Sequence, residues 1–321
     1  MPRAGCRVAE RDIGRHAARG TRHLLEVHAA LATVALLFSL NYIISKLGLH
    51  AFSPMTFAYL RVLGSALILN LLFRQRDLPP LSRSDHWRVI GYAVLGVVIN
   101  QYLFLSGLAL TSAHVSAILM TLIPVFTLAA AIVVGRERPS LLKISGIAVA
   151  MSGALAVVGR EGFHGAEKSF AGDLLLIGNA FSYALYLVLS KRDMARLTPR
   201  RVIVRMFAIG AILMLPLSAW SMWKEPWAAI PGRAWLALVI VIAGPTVAAY
   251  LLNAWALAHT DSSLVATYTY VQPVLTMILA AILLRESIHP TAIVSGIMIV
   301  SGVYLASLGT RHPAPDTPAI M

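Results

Sequence analysis

The chain has 321 residues, of which 58% are hydrophobic and 13% charged, with a mean hydropathy of +0.74. A soluble domain carries about a quarter charged residues and under half apolar ones, so this balance excludes an ordinary soluble enzyme. The formal charge of +13 does not point to nucleic acid either, because the basic residues flank apolar runs instead of covering one face.

Residues 1–27 form a polar, basic tail in which Arg3, Arg7, Arg11, Arg15 and Arg19 recur every four positions. A helix would gather them on one side. No apolar face accompanies them, so an irregular tail is the preferred reading over a surface helix on anionic lipid. Cys6 is the single cysteine. It excludes an internal disulfide and a thiol metal site, and no metal or cofactor is expected.

Ten apolar runs follow, each long enough to cross a hydrocarbon core of about 30 Å as a helix. The predicted spans are 28–46, 54–73, 87–109, 113–134, 141–159, 171–190, 202–220, 233–257, 263–284 and 290–309, with 310–321 as a second tail. Turn formers mark the connections, among them Pro79-Pro80 and His289-Pro290. Thr111-Ser112 and Thr260-Asp261 supply capping residues ahead of the fourth and ninth spans.

Thr111 to Glu137 and Thr260 to Glu286 are two copies of one pattern, 149 positions apart. Pro124-Val125 matches Pro273-Val274, and Arg136-Glu137 matches Arg285-Glu286. The chain is thus a duplication, 28–159 and 171–309. Five spans per copy is an odd number, so the second copy must enter the bilayer from the opposite side. The fold class expected is an all-α polytopic membrane protein, ten transmembrane helices as two inverted five-helix repeats around a central cavity. With the amino terminus in the cytoplasm, nineteen lysines and arginines fall on that side and six on the other, which predicts that both termini are cytoplasmic.

No acidic residue falls at a predicted midplane, and Glu137 and Glu286 at span ends read as caps or as ion pairs with the adjoining Arg136 and Arg285. The motifs H-E-x-x-H and G-x-S-x-G are absent, so no enzyme is expected. The midplanes hold neutral polar and aromatic groups instead. Asn41 lies in the first span, Asn100, Gln101 and Tyr102 in the third, and Met120 in the fourth. Asn179, Tyr183 and Tyr186 share one face of the sixth, as do Tyr250 and Asn253 of the eighth. Tyr268, Tyr270 and Gln272 precede Pro273 in the ninth. An amide in hydrocarbon costs several kcal/mol without a partner, so these groups face the bundle. Each alone reads as an interhelical bond, but the set on alternate spans of both halves predicts a substrate cavity.

Pro124 and Pro273 each leave a carbonyl, of Met120 and Thr269, without its helical N–H, and are predicted as paired hinges. Arg61, seven residues into the second span, either snorkels or holds a structural hydrogen bond, or else contacts a substrate anion. Gly146, Gly153, Gly296 and Gly302 in the fifth and tenth spans allow close helix contact, between those spans or across a homodimer face.

The Leu122–Phe126 stretch (L-x-P-V-F), the Arg136-Glu137 ending, their second copies, and the Ser45-Lys46 and Pro54…Arg61 landmarks resemble the EamA-type permeases of the drug/metabolite transporter superfamily. The resemblance covers about 28–309. It implies a multi-pass carrier of the bacterial inner membrane that exports small metabolites, often amino acids, by alternating access through a cavity lined by the first, third, fourth, sixth, eighth and ninth helices. The partners implied are a small-molecule substrate and the lipid bilayer, with no nucleic acid. The lack of a membrane-embedded acid departs from proton-coupled carriers, and a facilitated carrier fits equally. A carrier of phosphorylated solutes such as nucleotide sugars, and a non-transporting scaffold or sensor, are the alternatives.

Overall fold

In a computed structural model of the chain, the residues described are 4–73, 81–163, 167–259, 268 and 271–308. Tyr270, the Thr260-Asp261 cap, Thr267, Thr269, Pro79-Pro80 and the tail 310–321 lie outside them. Among the described residues every regular element is a helix, and nine helices are long and apolar enough to cross a membrane. They are α1 (Ala4–Leu49), α2 (Pro54–Leu72), α3 (Arg83–Leu110), α4 (Ala113–Met120 and Ile123–Val133), α5 (Leu141–Phe163), α6 (Glu167–Leu197), α7 (Pro199–Lys224), α8 (Gly232–Val241 and on to His259) and α10 (Pro290–Leu308). A shorter apolar helix, α9 (Val271–Leu283), stands between the last two.

The basic tail departs from the expectation of an irregular segment. From Ala4 it continues the helix of the first span without a break. No proline follows Pro2 until Pro54, so nothing in between forbids the helical φ or removes a donor.

Call the end where the first span begins, at Leu25, the near end, and the end where it stops, at Leu49, the far end. Repeat-equivalent helices run in opposite directions between them. The carboxylate of Glu225, just past the end of α7, accepts from the Ser53 N–H at 3.0 Å, where α2 starts. Glu286, just past the end of α9, accepts from the N–H groups of Ala113 and His114, where α4 starts. In each pair one helix finishes at the far end where its counterpart begins. At the near end Arg196 joins Asp85 of α3 to Asp193 of α6, and the Tyr92 hydroxyl donates to Asp193 at 2.7 Å.

Glycine explains how α5 and α10 meet. A Cβ at Gly146 would lie 2.5 Å from the Gly302 oxygen and the Ala306 nitrogen, and one at Gly302 would lie 2.5 Å from the Gly146 oxygen. Two helix backbones touch there, so the contact between these spans uses both glycines. The same geometry generates a test. Gly146→Ala forces backbone apart and should cost about 1–3 kcal/mol. Gly159→Ala on the same helix meets nothing within 4 Å and should be neutral or slightly stabilising. Melting of the two purified variants in detergent measures the difference.

Candidate functional site

A cavity of about 680 Å³ opens inside the bundle, lined from α1, α2, α3, α4, α6, α8 and α9 with Tyr268. That volume lies in the range of small-molecule sites. Three breaks in regular helix shape it. α4 stops at Met120 and restarts at Ile123, with Thr121 and Leu122 as a turn and Pro124 in the first turn of the second piece. A hydroxyl satisfies a carbonyl on each side of the break: Thr121 Oγ1 donates to Ile118 at 2.6 Å and Thr127 Oγ1 to Ile123 at 2.7 Å. α3 and α8 each carry a π turn, over Val94–Ile99 and Ile242–Ala248. At the repeat spacing of 149 these two turns coincide to within one residue, and cavity residues follow each, Asn100-Gln101 directly and Tyr250 after Ala249. A π turn inserts one residue and rotates the remainder of the helix, a device common at functional sites.

The cavity brings together most of the predicted residues. Asn41, Asn100, Gln101, Met120 and Asn179 line it, as do Tyr183, Tyr250, Asn253, Tyr268 and Gln272, with both prolines, Pro124 and Pro273, and Arg61. Tyr102 and Tyr186 do not. Tyr102 turns its hydroxyl away, to the Met214 carbonyl at 3.1 Å and to Ser218 at 2.5 Å. Tyr186 is buried against Tyr92 and Tyr183, over Gly96, where a Cβ would come within 2.8 Å of its ring. Tyr42, Phe38 and Thr127 join the lining, as do Arg136, Glu137 and Lys191, whose sequence positions suggested loops.

Several lining groups are already held. The Asn179 amide donates to the Asn100 carbonyl at 2.6 Å, Ser39 donates to the Gln272 carbonyl at 3.2 Å, and Tyr268 bonds His28 at 2.8 Å. Others are not. Arg61 is 5% exposed, and its Nε donates to Thr246 Oγ1 at 3.0 Å, yet Nη1 has no hydrogen-bond partner. Gln101 Oε1 is likewise buried without a donor. Arg61 therefore does not snorkel. The guanidinium thus lies buried on the chamber wall with no acid beside it among the described residues.

The two ends of the cavity differ. At the near end the lining reaches exposed Lys191, with Arg136 and Glu137 beside it, so the mouth lies there. At the far end, one turn beyond Tyr42 and Ala117, the bundle is sealed. Lys46 Nζ donates to the Thr111 carbonyl and lies 3.3 Å from Glu286, and His114 Nδ1 lies 2.7 Å from the same carboxylate. Glu286 thus pairs with Lys46 and His114, not with the adjoining Arg285 as its position suggested. Glu137 pairs with Lys143 at 2.8 Å, while Arg136 donates to the Val188 carbonyl.

Among the described residues no cluster of His, Cys, Asp and Glu could hold a metal ion.

A family model described as the EamA-like transporter family matches residues 27–159 and again 170–308. An uncharacterized transporter of Archaeoglobus fulgidus is 28% identical over 88% of this chain and 97% of its own length. A probable amino-acid metabolite efflux pump of Salmonella typhimurium is 25% identical over 87% and 93%. The uncharacterized inner membrane transporter YedA of Escherichia coli is 24% identical over 93% and 96%. A solved crystal structure shares the fold at a TM-score of 0.60 and 19% identity, covering 91% of this chain and 99% of that one.

Burial alone would raise the Glu286 carboxyl, but the hydrogen bonds from His114 and the Ala113 N–H, with the charges of Lys46 and His114, outweigh it and bring the group down to about 2. A carboxyl lowered by folding stabilises the fold above its ordinary value of 4.5, and that contribution is lost as the pH falls through the lowered value. Wild type should therefore melt above Glu286→Gln at pH values above the ordinary 4.5. The margin should shrink as the pH drops below 4.5 toward 2.

Proposed function

The chain belongs to the EamA-like transporter family, and from that premise we propose that it exports small organic solutes, amino acids or related amphipathic metabolites, across a bacterial inner membrane by alternating access. The observation that carries the reading is the unpartnered Nη1 of buried Arg61 on the wall of a chamber lined at depth by amides, hydroxyls, aromatic rings and aliphatic side chains, with Arg136, Glu137 and Lys191 at its mouth. A carboxylate there would receive a charge-assisted hydrogen bond from Arg61, while Gln101 Oε1 offers an acceptor to an ammonium or amide. Tyr183, Tyr250, Phe38 and Met120 supply apolar contact.

The name of the Salmonella relative, an efflux pump for amino-acid metabolites, and that of YedA, an inner membrane transporter, support the solute class, direction and membrane. The sealed far end and open near end fit one state of an alternating cycle, open toward the side that the lysine and arginine bias assigns to the cytoplasm. A phosphorylated solute would need several cations at depth. Among the described lining residues Arg61 alone sits there, with Arg136 and Lys191 confined to the mouth.

A melting screen of purified protein tests the solute class, because a ligand of the folded form raises the transition. Carboxylate-bearing amino acids should raise it and their amides should not. Arg61→Gln should weaken the response by about 2 kcal/mol, roughly thirtyfold in affinity, and an equal response would remove the guanidinium from the site.

Counterflow of the stabilising solute in proteoliposomes tests the pathway. Tyr183→Ala and Gln272→Ala should each abolish it at unchanged membrane expression. Normal counterflow in both would place the pathway elsewhere.

A further inference from the structure

The far-end seal has a second copy in the sequence. Ser45-Lys46 ends the first span of the first half, and Ser190-Lys191 stands 145 positions later, the same spacing that separates Pro54 from Pro199. Glu286 has its counterpart in Glu137. The partners in the closed pair come from different halves: Lys46 from the first and Glu286 from the second. The symmetry that interchanges the halves therefore maps Lys46 and Glu286 onto Lys191 and Glu137, at the opposite end of the bundle. Both of those residues line the cavity mouth.

One backbone hydrogen bond behind each carboxylate is also repeated. Glu137 N–H donates to the Ala131 carbonyl at 3.1 Å, and Glu286 N–H to the Ala280 carbonyl at 3.2 Å, where Ala131 and Ala280 are themselves counterparts. The left-handed residue stands one place apart in the two copies: Gly135 at φ +71 in the first, and Arg285, the counterpart of Arg136, at φ +54 in the second. Both glutamates keep that bond to the counterpart alanine, yet their side-chain bonding differs. Glu286 holds Lys46, His114 and the start of α4. Among the described residues Glu137 is held by Lys143, which also donates to the Arg138 carbonyl at 3.0 Å, and Lys191 makes no ion pair.

We propose that Lys46–Glu286 and Lys191–Glu137 are two latches of one device, closed alternately at the far and near ends of the cavity, so that forming one accompanies breaking the other. In the conformation described the far latch is closed. When the mouth closes, Glu137 leaves Lys143 for Lys191, and the far pair separates. Each latch joins residues of opposite halves, so a rocking of one half against the other stretches one pair as it brings the other together. The residues involved carry opposite full charges at both ends, and a glutamate whose latch is open keeps another partner, as Glu137 now has Lys143 and Glu286 has His114. Each conformation thus holds one such pair across the halves, and a carrier needs its conformations close in free energy if a solute is to shift the balance.

This inference rests on the alternating-access reading, and one experiment separates the two. In a Cys6→Ser background, Met120→Cys in the cavity wall reports access to a membrane-impermeant maleimide from either face of vesicles. With the far latch intact it should label from the near face. Glu286→Gln and Lys46→Gln should each lower near-face labelling about fivefold or more, the lower end of coupling between two sites, and raise far-face labelling. Adding Lys191→Gln should restore the original ratio. An unchanged ratio in both single variants overturns the latch while leaving alternating access standing, provided that some far-face labelling occurs. Labelling from the near face alone in every variant overturns both.

A second measurement covers variants that fail to fold. Glu137→Cys with Lys191→Cys, in the same background, should form a disulfide on oxidation, read as the loss of two maleimide-reactive thiols by mass. Two free thiols after prolonged oxidation of folded protein would show that the near pair never meets, and would overturn the device.

Discussion

An odd number of crossings in each repeat forces the second copy to enter the bilayer from the other face, and the rest of this structure depends on that parity. Equivalent helices run antiparallel, so the end of one lies beside the start of its counterpart. A helix start exposes unpaired N–H groups and carries a partial positive charge. The carboxylates just beyond α7 and α9 arrive at those starts, Glu225 at Ser53 and Glu286 at Ala113 and His114. Termini that would be costly in or near hydrocarbon are thereby satisfied by the opposite half. The halves are joined at their helix ends by charge-assisted hydrogen bonds, and along α5 and α10 by backbone contact at glycine.

Irregular backbone is tolerated at membrane depth only where it faces protein or a polar space. Here the break in α4 and the π turns of α3 and α8 all stand at the cavity wall. Duplication placed the π turn twice, and inversion faced its two copies across one chamber. Arg61 enters that chamber from α2, its Nε held by Thr246 within the π turn of α8. The cation at depth is therefore positioned by an element of the opposite half.

Much of this was legible in the residues. The spans, the 149-residue repeat and the set of neutral polar groups emerge from hydropathy and self-similarity, because hydrocarbon punishes a misplaced amide severely. The features that were not legible depend on rotation about helix axes. Tyr102 follows Gln101 directly, and a helix turns such neighbours about 100° apart, so one faces the cavity and the other reaches Met214 and Ser218. Tyr186 shares a face with Tyr183 but sits a turn away, over Gly96, where only a glycine leaves room for its ring. The π turns carry no composition signal of their own. Ion-pair partners escaped the sequence for a related reason: it shows Arg285 next to Glu286 but cannot show that inversion brings Lys46, 240 positions earlier, to the same point. The repeat of Ser-Lys at 190–191 was the available clue to the mouth residues.

Opposed insertion of the two halves can be read directly. Arg138 lies just past α4 and Ser287 just past α9, and the repeat spacing of 149 separates them. Single cysteines at these positions, in a Cys6→Ser background, should react with an impermeant maleimide from opposite faces of sealed vesicles. Reaction of both from the same face would contradict the inverted arrangement on which the cavity and its gating depend.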